Sequence, residues 1–214
     1  MTIAIKYTPL PKMKRPLVAI LRGIRPEEVE GIVGALIEAN FEAIEIPLNS
    51  PDPFNSIEKA AKLAPAECLI GAGTVLDVEA VDRLADVGGR LMVSPNVEPE
   101  VIARATHHRM VTMPGVFTAT EALLAIRSGA SALKFFPANV LGPEGIKAIR
   151  AVLPDHSEIA AVGGVSADNL SDYAAAGVRC FGLGSSLYRT GESADEVERK
   201  ARAFVNAYDA VFSS

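Results

Sequence analysis

Lys134 stands in the run SALKFFPA (131–138), where every other residue is apolar or small. The run has the length and aromatic content of a buried strand. Alternation along a strand puts Ala132, Lys134 and Phe136 on one face. An ammonium there is costly unless it is paired or loses its proton. Desolvation and a neighbouring guanidinium both favour the neutral amine, which attacks a carbonyl to form a Schiff base. A buried ion pair with Glu45 that only fixes register is the other reading. Glu45 lies in EAIEIPL (42–48), on the face shared by Ala43 and Pro47. A carboxylate beside an imine can move protons during carbinolamine formation, dehydration and bond cleavage. It can also serve only to neutralise Lys134 or Arg22.

Arg22 ends the run PLVAILRG (16–23), and its planar fork suits a carboxylate. Thr74 closes GAGT and offers a hydroxyl, for a ligand or for strand-end hydrogen bonding, while Gly71 and Gly73 let backbone approach a ligand. Two further glycine-rich turns, Gly163-Gly164 in VGGVS and Gly184-Ser185 in GLGSS, have the composition of a phosphate cradle. Tight turns alone would also call for glycine. Together these groups imply a substrate with a 2-oxo acid at one end and a phosphate at the other.

The elements that must position these residues alternate regularly. Apolar runs at 16–23, 42–48, 67–74, 90–95, 110–115, 131–138, 158–165 and 179–186 precede helical periods at 25–40, 52–64, 77–88, 98–109, 118–130, 142–153, 166–177 and 193–212. Val29, Ile32, Val33, Leu36 and Ile37 form one helix face. Asp77 is placed to cap a helix that ends at Gly88, and Thr118 with Glu121 has capping-box spacing. Continuous apolar runs are the mark of strands buried on both faces. Eight such units favour a (β/α)8 TIM barrel over a doubly wound open sheet. In such a barrel Arg22, Glu45, Thr74 and Lys134 all gather at the C-terminal mouth, with the glycine turns of units seven and eight where barrels hold phosphate. One domain (16–214) preceded by an extension (1–15) is expected.

The totals exclude other classes. Of 214 residues, 49% are hydrophobic and 22% charged, and the net charge of −5 gives no electrostatic footprint for nucleic acid. No apolar run is long enough to span a bilayer, and Lys6, Lys12, Lys14 and Arg15 precede no signal-peptide core. Cys68 and Cys180 sit in apolar runs and read as structural thiols of a reducing cytosol. His107 and His108, adjacent on a helix, read as surface residues. Nothing has the spacing of a zinc or calcium site, and GAGTVL lacks the last glycine of a dinucleotide fingerprint. No metal or cofactor is expected.

AILRGI, EIPLNSP, GAGTVL, ALKFFPA, GPEGIKAI, AVGGV and GLGSSLY, in this order and spacing over about residues 15–212, resemble the 2-dehydro-3-deoxy-6-phosphogluconate and 6-phosphogalactonate aldolases. These are class I aldehyde-lyases on a (β/α)8 barrel. The resemblance implies that Lys134 forms the Schiff base and Glu45 shuttles protons. It implies that Arg22 and Thr74 bind the pyruvyl end, that Gly163, Gly164, Gly184 and Ser185 hold the phosphate, and that Pro95 and Phe136 line the pocket. It also implies a cytoplasmic homotrimer. Where the phosphogluconate enzymes carry Thr-x-Arg, this chain has Pro47-Leu48-Asn49, which resembles the phosphogalactonate branch. The expected substrate is therefore 2-dehydro-3-deoxy-6-phosphogalactonate, cleaved to pyruvate and glyceraldehyde 3-phosphate. The C4 epimer, a phosphosugar isomerase and a non-catalytic phosphosugar-binding barrel are the alternatives.

Overall fold

Eight repeats of strand and helix leave each strand two neighbours only if the sheet closes on itself. The computed structural model, which describes residues 7–212, has this form. Its strands are β1 (Leu17–Ile20), β2 (Ala43–Pro47), β3 (Leu69–Gly73), β4 (Leu91–Val93), β5 (Val111–Met113), β6 (Gly115–Val116), β7 (Leu133–Phe135), β8 (Ile159–Val162) and β9 (Cys180–Leu183). The sheet runs β5-β4-β3-β2-β1-β9-β8-β7-β6, and its paired strands are parallel. β5 and β6 are the two halves of the fifth expected strand, split at Pro114, which has no N–H for a ladder. β5 pairs with β4 and β6 with β7, so the split strand closes the ring. The N–H groups of Ser131 and Ala132 donate to the Thr112 carbonyl, and that of Lys134 to the Pro114 carbonyl, across this seam. The (β/α)8 barrel is thus observed, and the open sheet is not.

The helices are α1 (Val29–Glu38), α2 (Pro53–Leu63), α3 (Val78–Asp86), α4 (Pro99–His107), α5 (Ala119–Ser128), α6 (Ala138–Arg150), α7 (Leu170–Ala175) and α8 (Ala194–Phe212). Asp77 caps α3 by accepting the Ala80 N–H at 2.7 Å, and Thr118 and Glu121 form the capping box of α5. Val29, Ile32, Val33 and Leu36 are buried along α1 as their spacing requires. Three boundaries differ from expectation. Pro26 lies in a turn, so α1 starts later. A 3-10 turn at Ala167–Asn169 precedes a short α7. α6 begins at Ala138 and kinks at Gly142, whose φ of 73° is open to glycine, before Pro143 restarts the helix.

Strand alternation divides the core. Leu17, Ala19, Ile44, Ile46 and their equivalents face the helices. Val18, Ala43, Leu69, Leu91, Val111, Ala132, Ala160 and Cys180 form a second buried cluster, and Leu10 and Met13 of the N-terminal segment pack against it. Two residues further along the same faces come Ile20, Glu45, Gly71, Lys134, Val162 and Gly182, which places Glu45 and Lys134 one layer nearer the C-terminal mouth. The N-terminal segment is tied down where it meets the barrel. The Glu42 carboxylate accepts the N–H groups of Lys14 and Arg15, and Arg15 grips Asp209 through two bonds of 2.7 and 2.6 Å. Of the expected extension, residues 1–6 lie outside the described residues.

Cys68 and Cys180 are free and buried, and burial pushes their thiols up to about 11 and about 12. His107 is exposed as expected. His108 is not a bare surface residue: its Nε2 lies 2.7 Å from Asp82, which also takes two bonds from Arg104. These partners, Arg104 first, hold the Asp82 carboxyl down at about 2 and join α3 to α4. Among the described residues no helix is long and apolar enough to cross a membrane.

Candidate active site

The strand ends of the C-terminal mouth enclose a cleft of about 820 Å³. Ten of the residues singled out in the sequence line it: Arg22, Glu45, Thr74, Pro95, Lys134, Phe136, Gly163, Gly164, Gly184 and Ser185; Gly71 and Gly73 do not.

Lys134 is held in β7 between Gly115 of β6 and Ala160 of β8. Its side chain is only 6% exposed. The Nζ donates to the carbonyl oxygen of Ser94 at 3.2 Å and lies 4.7 Å from the centre of the Phe136 ring. Among the described residues no carboxylate forms an ion pair with it. Burial lowers its pKa, the field of Glu45 opposes this, and Arg22 lowers it further. The register-setting ion pair with Glu45 is therefore absent. What remains is an amine whose deprotonation the surroundings favour.

Glu45 of β2 is 2% exposed, and its Oε2 has no hydrogen-bond partner among the described residues. Desolvation pushes its carboxyl up to about 7, against the lowering effect of Lys134 and Arg22. The carboxylate occupies space that a side chain on β3 would otherwise fill: a Cβ at Gly73 would overlap both its oxygens. A side chain at 73 would therefore have to displace the Glu45 carboxylate. A carboxyl poised near neutral pH can accept and return a proton in one cycle.

Arg22, at the end of β1, donates from Nη1 to Asn49 Oδ1 at 2.7 Å. Thr74 follows β3 with φ of 57°, a left-handed conformation that side chains rarely adopt and that persists where surroundings impose it. On the other side of the mouth Gly163 and Gly164 have φ of 96° and 74°. A Cβ at Gly164 would meet the Asn139 side chain at 2.5 Å. Asn139 N–H and Asn169 Nδ2 bind the carbonyls of Gly163 and Gly164 at 3.1 and 2.9 Å, and Ser186 Oγ ties the Val165 carbonyl to the β9 turn at 2.8 Å. At Gly184 a Cβ would meet open space.

Sequence reasoning missed the Ser94 carbonyl, Asn49, Ser166, Ser186, Tyr188, Arg189 and Thr190. The last four directly follow GLGSS or lie within it, so extending that motif to its flank was the available signal. Ser94 carries none, because its role arises from a contact with a distant strand, and Asn49, noted only as part of Pro47-Leu48-Asn49, gave no sign of its bond to Arg22.

Comparison with known proteins points to one family. The family model described as KDPG and KHG aldolase matches residues 11–201. The chain is 71% identical over 204 residues to a probable 2-dehydro-3-deoxy-6-phosphogalactonate aldolase of Rhizobium meliloti (strain 1021), covering 95% of this chain and 96% of that protein. It is 51% identical over 195 residues to the 2-dehydro-3-deoxy-6-phosphogalactonate aldolase of Escherichia coli (strain K12), covering 91% and 95%. A solved structure described as native KDPGal superposes with a TM-score of 0.93 at 49% identity, over 95% of this chain and 98% of that one. A barrel whose buried lysine, glutamate and glycine turns meet at one mouth, matched over most of its length, belongs to the KDPG and KHG aldolase family.

Proposed function

We propose that the protein is a class I aldolase that cleaves 2-dehydro-3-deoxy-6-phosphogalactonate to pyruvate and D-glyceraldehyde 3-phosphate. The observation that carries this reading is Lys134, a buried amine with lowered pKa and, among the described residues, no carboxylate partner, opening into a cleft beside Glu45. The neutral Nζ attacks C2 of the substrate, and loss of water gives an iminium. Glu45 takes the proton of the C4 hydroxyl. The C3–C4 bond then breaks, its electron pair passes into the iminium to give an enamine, and the aldehyde departs. Glu45 returns the proton to C3 of the enamine, and water releases pyruvate and the free amine. Arg22, fixed by Asn49, and Thr74 hold the substrate carboxylate, Pro95 and Phe136 wall the pyruvyl end, and Gly163, Gly164, Gly184 and Ser185 receive the phosphate. No metal or cofactor enters this scheme. Family resemblance extends the reading to a cytoplasmic homotrimer.

The test is to reduce the protein with borohydride in the presence of pyruvate and to compare the two C4 epimers as substrates. A covalent adduct on the peptide containing Lys134 and a higher kcat/KM for the galacto epimer are expected. Absence of the adduct would favour a phosphosugar isomerase. A preference for the gluco epimer would reassign the substrate.

Gly73→Ala is expected to displace the Glu45 carboxylate. Overpacking should cost about 1–3 kcal/mol of stability, and kcat should fall by about 10²-fold, the lower range of proton-transfer contributions. Thermal unfolding and cleavage assays on one preparation check both effects.

A further inference from the structure

Arg22, Lys134 and Arg189 are the cations lining the cleft, and Glu45 is the acid among them. Arg22 and Lys134 serve the carboxylate and carbonyl of the substrate in the reading above. Arg189 has no part in it, yet its surroundings set it apart from an ordinary surface arginine. It lies in the turn after β9, and its Nε donates to the Ser185 carbonyl at 3.1 Å, which draws the guanidinium back over the Gly184-Ser185 turn. Its neighbours in the chain are anchored: Tyr188 is 3% exposed, and Thr190 Oγ1 packs on Gly23 and donates to the Arg22 carbonyl at 3.5 Å.

The nearby carboxylate is already engaged. Glu192 accepts the Arg189 backbone N–H at 3.0 Å and pairs with Lys200. Among the described residues no ion pair includes the Arg189 guanidinium. Its terminal nitrogens are therefore a fork tethered beside the glycine turns without a protein partner. Backbone N–H groups and serine hydroxyls bring no net charge to a dianion that is leaving water, whereas an arginine fork brings both charge and paired donors.

The geometry points to Arg189 as the cation that binds the substrate phosphate and so sets the preference for phosphorylated over unphosphorylated 2-oxo sugar acids. This rests on the aldolase reading. The test uses Arg189→Gln and Arg189→Lys in the full chain, with the phosphorylated substrate, the same acid lacking phosphate, and inorganic phosphate as a binding probe. In Arg189→Gln, KM for the phosphorylated substrate should rise about 10- to 100-fold while kcat stays within about 2-fold, the signature of lost uniform binding. Affinity for inorganic phosphate, measured by calorimetry, should fall in step. kcat/KM for the unphosphorylated acid should not change, and Arg189→Lys should recover part of the loss. Equal losses on both substrates, or an unchanged KM and phosphate affinity, would overturn the assignment. Borohydride trapping of pyruvate by the parent protein separates the two readings. If it traps and Arg189→Gln leaves phosphate binding intact, only the Arg189 assignment fails. If the parent does not trap, the aldolase reading fails, and calorimetry with inorganic phosphate still decides the role of Arg189.

Discussion

Lys134→Arg eliminates the borohydride-trapped pyruvate adduct and lowers turnover by roughly 10⁴–10⁶-fold, the scale at which loss of a covalent nucleophile acts. Guanidinium stays protonated in any protein environment, so it cannot supply the neutral amine that forms the iminium. The substitution puts a fixed charge beside Glu45 and Arg22 where the parent offers an amine, so a neutral variant is needed to separate nucleophilicity from the local field. Lys134→Met is the companion variant. It removes an ammonium that burial disfavours and leaves a side chain of similar length among apolar neighbours, so the fold should be retained. Appreciable cleavage by either variant, with circular dichroism like that of the parent, would reject the imine mechanism. In the parent the lowered pKa of Lys134 gives a pH dependence of fixed sign. The reactive amine is protonated as the pH falls through that pKa, so the rate of adduct formation declines toward acid.

Glu45→Gln is expected to lower kcat by about 10²–10⁴-fold while leaving pyruvate trapping measurable. The imine can still form slowly without the carboxylate, but the C4 hydroxyl proton no longer has an acceptor. The pH profiles separate a proton shuttle from a structural role. In the parent the carboxyl at about 7 must be ionised to take the proton, so kcat/KM should fall below that pH; the variant should lack this step in its profile. Stability moves in the opposite sense. A carboxyl raised from 4.5 to about 7 binds more protons in the folded than in the unfolded chain across that interval, so the parent loses stability as the pH rises through it. Glutamine carries no such burden. The variant should gain on the order of 1–3 kcal/mol relative to the parent above pH 7, and the gain should vanish below the ordinary carboxylate range. Denaturant unfolding at several pH values measures it. A variant altered in stability alone, with kcat intact, would return Glu45 to a neutralising role.

Much of this was legible in the chain itself. Alternation along a strand is set by adjacent residues, so Ala132-Lys134-Phe136 and Ala43-Glu45-Pro47 could be assigned to common faces before any fold was known. Apolar runs, caps such as Asp77 and Thr118, and the regular exchange of strand and helix periods are equally local, and they were enough to specify eight units and a closed barrel. The candidate residues Arg22, Glu45, Thr74 and Lys134 were picked out by position, since each lies near the C-terminal end of its strand.

Contacts across the ring were beyond that reach. The Ser94 carbonyl that holds Lys134 is 40 residues away in the chain, and the Asn49 amide that fixes Arg22 is 27 away. No local pattern encodes such pairs, because they exist only once closure fixes which layer of one strand faces which layer of another. The absence of a Lys134–Glu45 ion pair and the close approach of the Glu45 carboxylate to Gly73 on the next strand are decided in the same way. So is the balance of pKa values. Burial of Glu45 outweighs two nearby cations, and burial of Lys134 outweighs one nearby acid. The sequence by itself determined which groups reach the mouth of the barrel. Only the tertiary structure, by removing water from around them, raises the pKa of Glu45 and lowers that of Lys134.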